Sequence, residues 1–427
     1  MTAALRPALR SFAVPNYRRY FLGQLVSLSG TWMQVVAEMW LVLSLTHSGV
    51  AVGIAAALQF SPMLLVGAWG GLLADRFDKR RLLIVTQTAM ALPALALLAL
   101  TATHAIALWM LYLLIFARGA VNAVDNPARQ AFLVELVGPD RLVNAVSLGS
   151  ALVNGARTIG PALAGIVIAT AGVEPCFGLN AASFAAMILA LRGMDTAALR
   201  SRPPAARERG QVRSGLRYVR ATPQLWIPLA LMALVGTFTF NFQVLLPLLA
   251  SFGFHGGAGT YATLTTAMGL GAIAGAIANG ARSRIRPALL AGAAAVFGAL
   301  VLATAAAPSA TLAALMLVPV GAASVTFAAS VNSFLQLAVA PEMRGRVMAL
   351  YSVVFLGSTP IGGPLMGWIA GGAGPRVALA LGGLVALGAA AWARAAFARA
   401  GMAESAACRR ASSPTGGPAP ARSCSTG

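Results

Sequence analysis

Acidic residues are scarce in this chain. Eleven Asp and Glu stand against 31 Lys and Arg, and charged residues of both signs fill only 10 % of 427 positions. Soluble domains are about 25 % charged, so a soluble multidomain protein of this length is excluded. Disorder is excluded too, because it needs low hydrophobicity and 58 % of these residues are apolar. Cysteine is rare: Cys176, Cys408 and Cys424 have no metal or redox spacing and imply no disulfide framework. No P-loop is present, so no nucleotide-driven motor is written into the chain. The N-terminal stretch carries Arg6, Arg10, Arg18 and Arg19 but no short apolar core before a cleavage site. The first apolar segment is therefore expected to stay as a helix.

Long apolar runs fill the rest. A helix crosses a bilayer with about 20 apolar residues. Twelve such stretches occur, at 20–46, 50–74, 82–103, 107–125, 143–171, 176–193, 225–250, 258–281, 288–307, 310–336, 346–371 and 375–397. The net charge of +20 sits in short clusters between them. A nucleic-acid binder would instead carry a continuous basic face, so no nucleic-acid partner is expected. With a cytoplasmic N-terminus, the inner loops hold Arg76, Lys79, Arg80 and Arg81; Arg129 and Arg141; seven arginines from Arg200 to Arg220; Arg282, Arg284 and Arg286; and Arg344 and Arg346. The outer loops hold only Arg376, together with His47, His104 and His255. This asymmetry follows the positive-inside rule. It predicts an all-α, twelve-span protein of the cytoplasmic membrane with both termini inside.

The expected organisation is a cytoplasmic segment at 1–19, a six-helix bundle at 20–193, a cytoplasmic linker at 194–224, a second bundle at 225–397, and a disordered tail at 398–427 rich in Ser, Pro and Gly. The halves repeat. A shift of 202 residues lays Pro139 on Pro341, Gly155 on Gly357, Gly160 on Gly362, Gly165 on Gly367 and Gly172 on Gly374. A shift of 204 lays Gly67 on Gly271, Gly71 on Gly275, Asp75 on Asn279 and Arg80 on Arg284. Glycine fills 45 of 427 positions, so this many coincidences are not chance. Two parallel six-helix repeats predict a two-bundle architecture with a cavity at the interface.

Three segments carry a resemblance. Between the second and third spans stands Gly70-Gly71-Leu72-Leu73-Ala74-Asp75-Arg76-Phe77-Asp78-Lys79-Arg80-Arg81. It resembles the G-x-L-x-D-R-x-G-R-K signature of the major facilitator superfamily, with Asp78 in place of the second glycine. Asn154 to Gly165 in the fifth span, with Gly155, Gly160, Pro161 and Gly165, resembles that superfamily's antiporter motif, although Ala156 and Ala164 replace usual glycines. Asp125-Asn126-Pro127-Ala128-Arg129-Gln130, Glu135-Leu136-Val137 and Gly30-Thr31-Trp32-Met33-Gln34 resemble the branch that contains the enterobactin exporter. The resemblance implies the major facilitator fold and proton-driven export of a small molecule. It also implies that Asp75 meets the helix beginning near Arg346, that Lys79 pairs with an acid on helix four, and that helices one and four line the cavity.

Charged groups inside a span cost about 2.5–3.5 kcal/mol each even on the mild insertion scale, so they mark function. Glu38 lies in the outer half of helix one, about 27 Å along from Tyr20 at about 1.5 Å per residue. It is the only carboxylate expected deep in a span, and a desolvated carboxylate suits a proton carrier. Arg118 and Arg157 lie at mid-depth, and Arg118 stands where the superfamily's helix-four motif places an arginine linked to proton coupling. Arg118, Asn122 and Asp125 share one helical face by their spacing. A static Glu38–Arg118 pair is the rival reading for the first, and an inner-gate partnership of Asp125 with Lys79 is expected for the last. Trp32, Gln34, Phe240, Asn241, Gln243, Asn332 and Gln336 are placed to line a substrate path.

An enzyme at membrane depth needs a histidine or paired carboxylates beside a nucleophile. With all three histidines in predicted outer loops and Glu38 alone, none is expected. The expected function is proton antiport of a siderophore-like or drug-like small molecule by a monomer in the bilayer, with no cofactor. An uptake permease or lipid flippase of the same fold is the alternative.

Overall fold

The computed structural model describes residues 10–199, 211–280 and 287–411. Twelve of its helices are long and apolar enough to cross a membrane. They are α1 Pro15–Thr46, α2 Gly49–Arg76, α3 Lys79–Ala102, α4 Leu108–Val137, α5 Pro139–Ala171 and α6 Glu174–Arg192 in the first half. The second half holds the seventh span Pro223–Gly253, which opens with α7 Pro223–Phe238, then α8 Ala258–Gly280, α9 Pro287–Ala305, α10 Ala310–Ala338, α11 Arg344–Ala373 and α12 Pro375–Ala411. Helices dominate because each satisfies its own backbone groups where lipid offers no partner. With twelve crossings, the described chain begins and ends on one side, called here the terminal face.

Local chemistry sets the ends. Ser48 caps α2 by accepting from the Ala51 amide, and Ser309 caps α10 by accepting from that of Leu312. Asp78, the departure from the glycine of the signature, caps α3 by accepting from the Arg81 amide at 2.7 Å. Gly138, with φ 72°, is the whole connection between α4 and α5. The expected inner loop holding Arg129 and Arg141 is thus absent: Arg129 lies within α4 and Arg141 within α5. Both helices run past the apolar stretches that announced them, 107–125 and 143–171. Likewise α12 continues helical to Ala411, through the first residues of the tail expected from 398; residues 412–427 lie outside the described ones. So do the first nine residues and most linker arginines; the described end of the linker forms a short helix, Gln211–Ala221.

All three histidines stand at positive φ, His47 at 50°, His104 at 54° and His255 at 53°, closing α1, α3 and the seventh span away from the terminal face. A branched side chain is strained there while glycine is not. His104→Gly should leave the thermal midpoint of the purified protein unchanged or raised. His104→Val should lie below it by about 1–2 kcal/mol of stability; equal midpoints would contradict the strain.

The halves repeat one topology. The α2–α4 pairing of the first half recurs as α8–α10, and α3–α6 recurs as α9–α12. Two helix pairs make the largest contacts between the halves: α2 with α11, and α5 with α8. At Gly53 the approach is backbone to backbone, since a Cβ there would lie 2.7 Å from both Gly363 C and Pro364 Cα. The close glycine contacts across the interface lie at mid-depth or away from the terminal face: Gly49 with Gly367, Gly53 with Gly363, Gly165 with Ala262, and Gly269 with Thr158. Trp40 of α1 stacks on Tyr261 of α8 in the same region, with ring centroids 6.4 Å apart. Gly149 of α5 and Gly345 of α11 toward the terminal face, Gly155 at the middle of α5, and Gly259 of α8 and Gly372 of α11 at the far end all border open space.

Candidate functional site: a central cavity beside a buried ion pair

Helix seven does not run straight through. It ends at Phe238, leaves Thr239–Asn241 outside helical geometry, and resumes as Phe242–Leu248 before a wider turn, Leu249–Gly253. The break is held from both sides. The Thr239 hydroxyl donates to the Gly382 carbonyl of α12 at 2.8 Å, and the Asn241 amide nitrogen donates to the Thr237 carbonyl at 2.6 Å. A broken helix leaves polar backbone at membrane depth, which is tolerated where it borders a cavity.

It does so here. A cavity of about 230 Å³ lies between the halves, with walls from α1, α2, α5, the seventh span, α8, α10 and α11. Its lining is mainly apolar and aromatic, with Phe60, Phe240, Tyr261 and Phe355 among its residues. Phe240 anchors an aromatic cluster with Phe297, Phe327 and Phe355, at centroid distances of 5.1, 6.3 and 5.9 Å. Arg157 supplies the charge. Its guanidinium lies 4.9 Å from the centre of the Trp32 ring, a cation–π contact. The surface Arg157 leaves uncovered faces this cavity. Gln243 donates to Gln59 of α2 at 2.8 Å, a hydrogen bond between the halves.

Beside the cavity, inside the first half, is a buried ion pair. Glu38 is 0 % exposed and Arg118 3 %. Arg118 donates from Nη2 to Glu38 Oε2 at 2.6 Å and from Nε to Oε1 at 3.2 Å. The chain continues outward from the carboxylate. Gln34 donates to Glu38 Oε1 at 2.7 Å, Asn180 of α6 to Gln34 at 2.5 Å, and Ser183 to Asn180 Oδ1 at 2.9 Å. Both carboxylate oxygens thus have partners, as a buried ion pair requires.

Several expected placements differ. Helix α4 contributes no side chain to the cavity, because Arg118 turns to Glu38 on α1. Gln34 is wholly buried in the network rather than on a substrate path. Asn332 and Gln336 bond each other at 2.7 Å toward the terminal end of α10, away from the cavity lining. Arg118, Asn122 and Asp125 do not act as one face: Asn122 is exposed, while Asp125 packs into the α3–α4 seam. Asp125 accepts from Thr86 at 2.6 Å and Gln87 at 2.9 Å, and is ion-paired with Arg129. Lys79 therefore does not meet Asp125. Its acid on α4 is Glu135, at 3.1 Å. The reason is the unforeseen length of α4, which keeps Glu135 helical and level with the start of α3.

The remaining motif residues divide. Arg80 donates to the carbonyls of Leu191 at 2.7 Å and Arg192 at 3.1 Å, satisfying the end of α6. Arg76 is exposed; of Gly71 and Asp75 only the helical backbone is described. Gly160 seats α5 on Ser29 and Trp32 of α1, Gly165 meets Ala262 of α8, Pro161 is buried, and Gly155 faces open space. Reading the sequence missed Glu135, Gln59 and the Asn180–Ser183 extension. Asn180, an amide inside an apolar span, carried the signal that would have found it.

The comparisons agree with this architecture. The transmembrane secretion effector family of the major facilitator superfamily matches residues 7–415. The chain belongs to that family. As a family member it is a multi-pass protein of the cell membrane, and the family and its relatives are transporters, not enzymes. The staphyloferrin A transporter of Staphylococcus aureus (strain NCTC 8325 / PS 47) is 34 % identical over 35 % of this chain and 38 % of its own length. The enterobactin exporter EntS of Escherichia coli O1:K1 / APEC is 26 % identical over 83 % of this chain and 85 % of its own. The chain thus matches less than half of the first of these relatives and most of the second. Among solved structures, the D323A mutant of the nucleoside transporter NupG superposes with a TM-score of 0.68 at 16 % identity, over 89 % of this chain and 99 % of that one. That likeness speaks for the fold.

Proposed function

We propose that this protein exports a small, siderophore-like molecule in exchange for protons, by alternating access of the two halves to the central cavity. The observation that carries the reading is the bidentate, buried Glu38–Arg118 pair, whose carboxylate is on the same helix as the cavity residues Trp32, Val35 and Val36. A carboxylate that gains or loses its arginine partner as α1 shifts changes its preference for the proton. The glycine contacts that close the interface at mid-depth and away from the terminal face suit a two-state rocking motion with the terminal face read as cytoplasmic. The names of the relatives, an enterobactin exporter and a staphyloferrin A transporter, support a siderophore-like cargo.

The test is accumulation. Cells that make a siderophore should retain more of it when this protein is absent. A protonophore should raise retention in cells that have it to the same level. Lower retention in its absence would reverse the direction of transport, and insensitivity to the protonophore would remove the proton.

A further inference from the structure

Two polar groups at the walls of the central cavity lack partners among the described residues, and they come from opposite halves. Arg157, from the first half, faces the cavity over Trp32 and makes no ion pair or hydrogen bond there. Asn241, from the second, is 1 % exposed. Its amide nitrogen is committed to the Thr237 carbonyl, which identifies Oδ1 as the remaining atom, and that oxygen is buried with no donor. An acceptor left unmet in the interior is unfavourable, and Arg157, exposed where it lines the cavity, has no counter-charge beside it among the described residues. The break in helix seven is what sets Asn241 at the wall, and Gly362 of α11 leaves room for it: a Cβ there would lie 2.9 Å from its amide nitrogen. The same cavity presents flat apolar rings, those of Trp32, Phe240 and Phe355.

We propose that the cavity binds an organic anion bearing a hydrogen-bond donor at its far end. The anionic group lies against Arg157, the donor against Asn241 Oδ1, and an aromatic body between Trp32, Phe240 and Phe355. The proposal deepens the export reading by naming the chemistry of the cargo, and rests on that reading only for the direction and energy of movement. It makes Arg157 and Asn241 the specificity-determining residues. A ligand with both poles joins the two halves through itself, whereas a ligand with one pole leaves one half unsatisfied.

Three fluorescent probes separate the poles: 6-hydroxy-2-naphthoate has both, 6-methoxy-2-naphthoate lacks the donor, and methyl 6-hydroxy-2-naphthoate lacks the charge. Binding is measured by equilibrium dialysis with the full-length protein in lipid nanodiscs, subtracting binding to empty nanodiscs. Wild-type protein should bind the first at least about tenfold more tightly than either other probe. Asn241→Leu should erase the hydroxy-over-methoxy preference and keep the preference for the acid over the ester. Arg157→Gln should do the reverse. Absent binding of 6-hydroxy-2-naphthoate, equal binding of all three by wild-type protein, or an unchanged hydroxy-over-methoxy preference in folded Asn241→Leu each overturns the proposal. The ladder on wild-type protein decides if a variant does not fold. Because no gradient is applied, failure here leaves the export reading intact, and loss of gradient-driven movement with the ladder preserved would fail that reading alone.

Discussion

Glu38→Gln protein reconstituted into liposomes is expected to exchange cargo down its gradient and to accumulate none when only a pH gradient is supplied. Glutamine keeps the shape of the side chain, and its one oxygen can still accept from Arg118 Nε and Gln34, as Oε1 does now; only the bond from Arg118 Nη2 is given up, so the network from Arg118 to Ser183 stays connected. What it loses is the charge, and with it any difference in proton affinity between the state with Arg118 close and the state with it withdrawn. A change in partnership that moves such an affinity tenfold is worth about 1.4 kcal/mol, so a small displacement of α1 against α4 couples the two events. Arg118 supplies the companion series. Lysine preserves the cation but not the second hydrogen bond from Nε at 3.2 Å, and should keep part of the pumping. Alanine strands a buried carboxylate, which costs about 3–5 kcal/mol, and should abolish pumping together with some of the thermal stability. Pumping by Glu38→Gln against a cargo gradient, driven by pH alone, would take Glu38 out of the mechanism. Asp125, wholly buried beside Arg129, would then be the carboxylate to examine.

How far these features were legible depends on the range over which each is encoded. Spans are local: runs of Ala, Leu, Val and Gly at bilayer length announce themselves, and all twelve are there. The repeat was also readable, because glycines recur at equivalent positions, and at two of them, Gly160 with Gly362 and Gly165 with Gly367, both members make close helix approaches. What escaped lies where helices outlast the hydrocarbon. Hydropathy falls at Arg129 and Arg141, so the chain looked like a loop there, yet both residues are helical and one glycine makes the turn. That error moved Glu135 out of α4 and sent Lys79 to the wrong acid. Side-chain direction was the second gap. Gln34 and Asn241 are both amides in apolar spans, yet one faces the neighbouring helix of its own half and the other borders the cavity. Spacing within one helix does not reveal which neighbour it meets. The break in helix seven had no clear announcement either, since Thr239–Asn241 contains neither proline nor glycine and is stabilised by partners in α12 and in its own preceding turn.

The second large effect belongs to the glycine seam away from the terminal face. Gly53→Leu is expected to reduce transport to near background while the protein still folds and inserts. The new Cβ alone would sit 2.7 Å from Gly363 C and Pro364 Cα. Both are backbone atoms of α11, so no rotamer change relieves the clash. Overpacking a tight interface costs about 1–3 kcal/mol, and the cheapest relief is to let α2 and α11 part at this end. Each half keeps its own core, so the burden falls on the closed arrangement and not on the fold. A ligand-free equilibrium shifted by about 3 kcal/mol moves by roughly two powers of ten, enough to hold the protein in the arrangement open away from the terminal face. The shift is readable without any cargo. A cysteine at Ala262, packed against Gly165 across the seam, should react with a membrane-impermeant maleimide applied to that face in the Gly53→Leu background and be protected in the wild-type background. Gly372→Ala is the matched control on α11, because a Cβ there meets nothing within 4 Å. Wild-type transport by Gly53→Leu, or equal labelling of Ala262→Cys in both backgrounds, would mean that the seam is not a gate and that the halves move about some other contact.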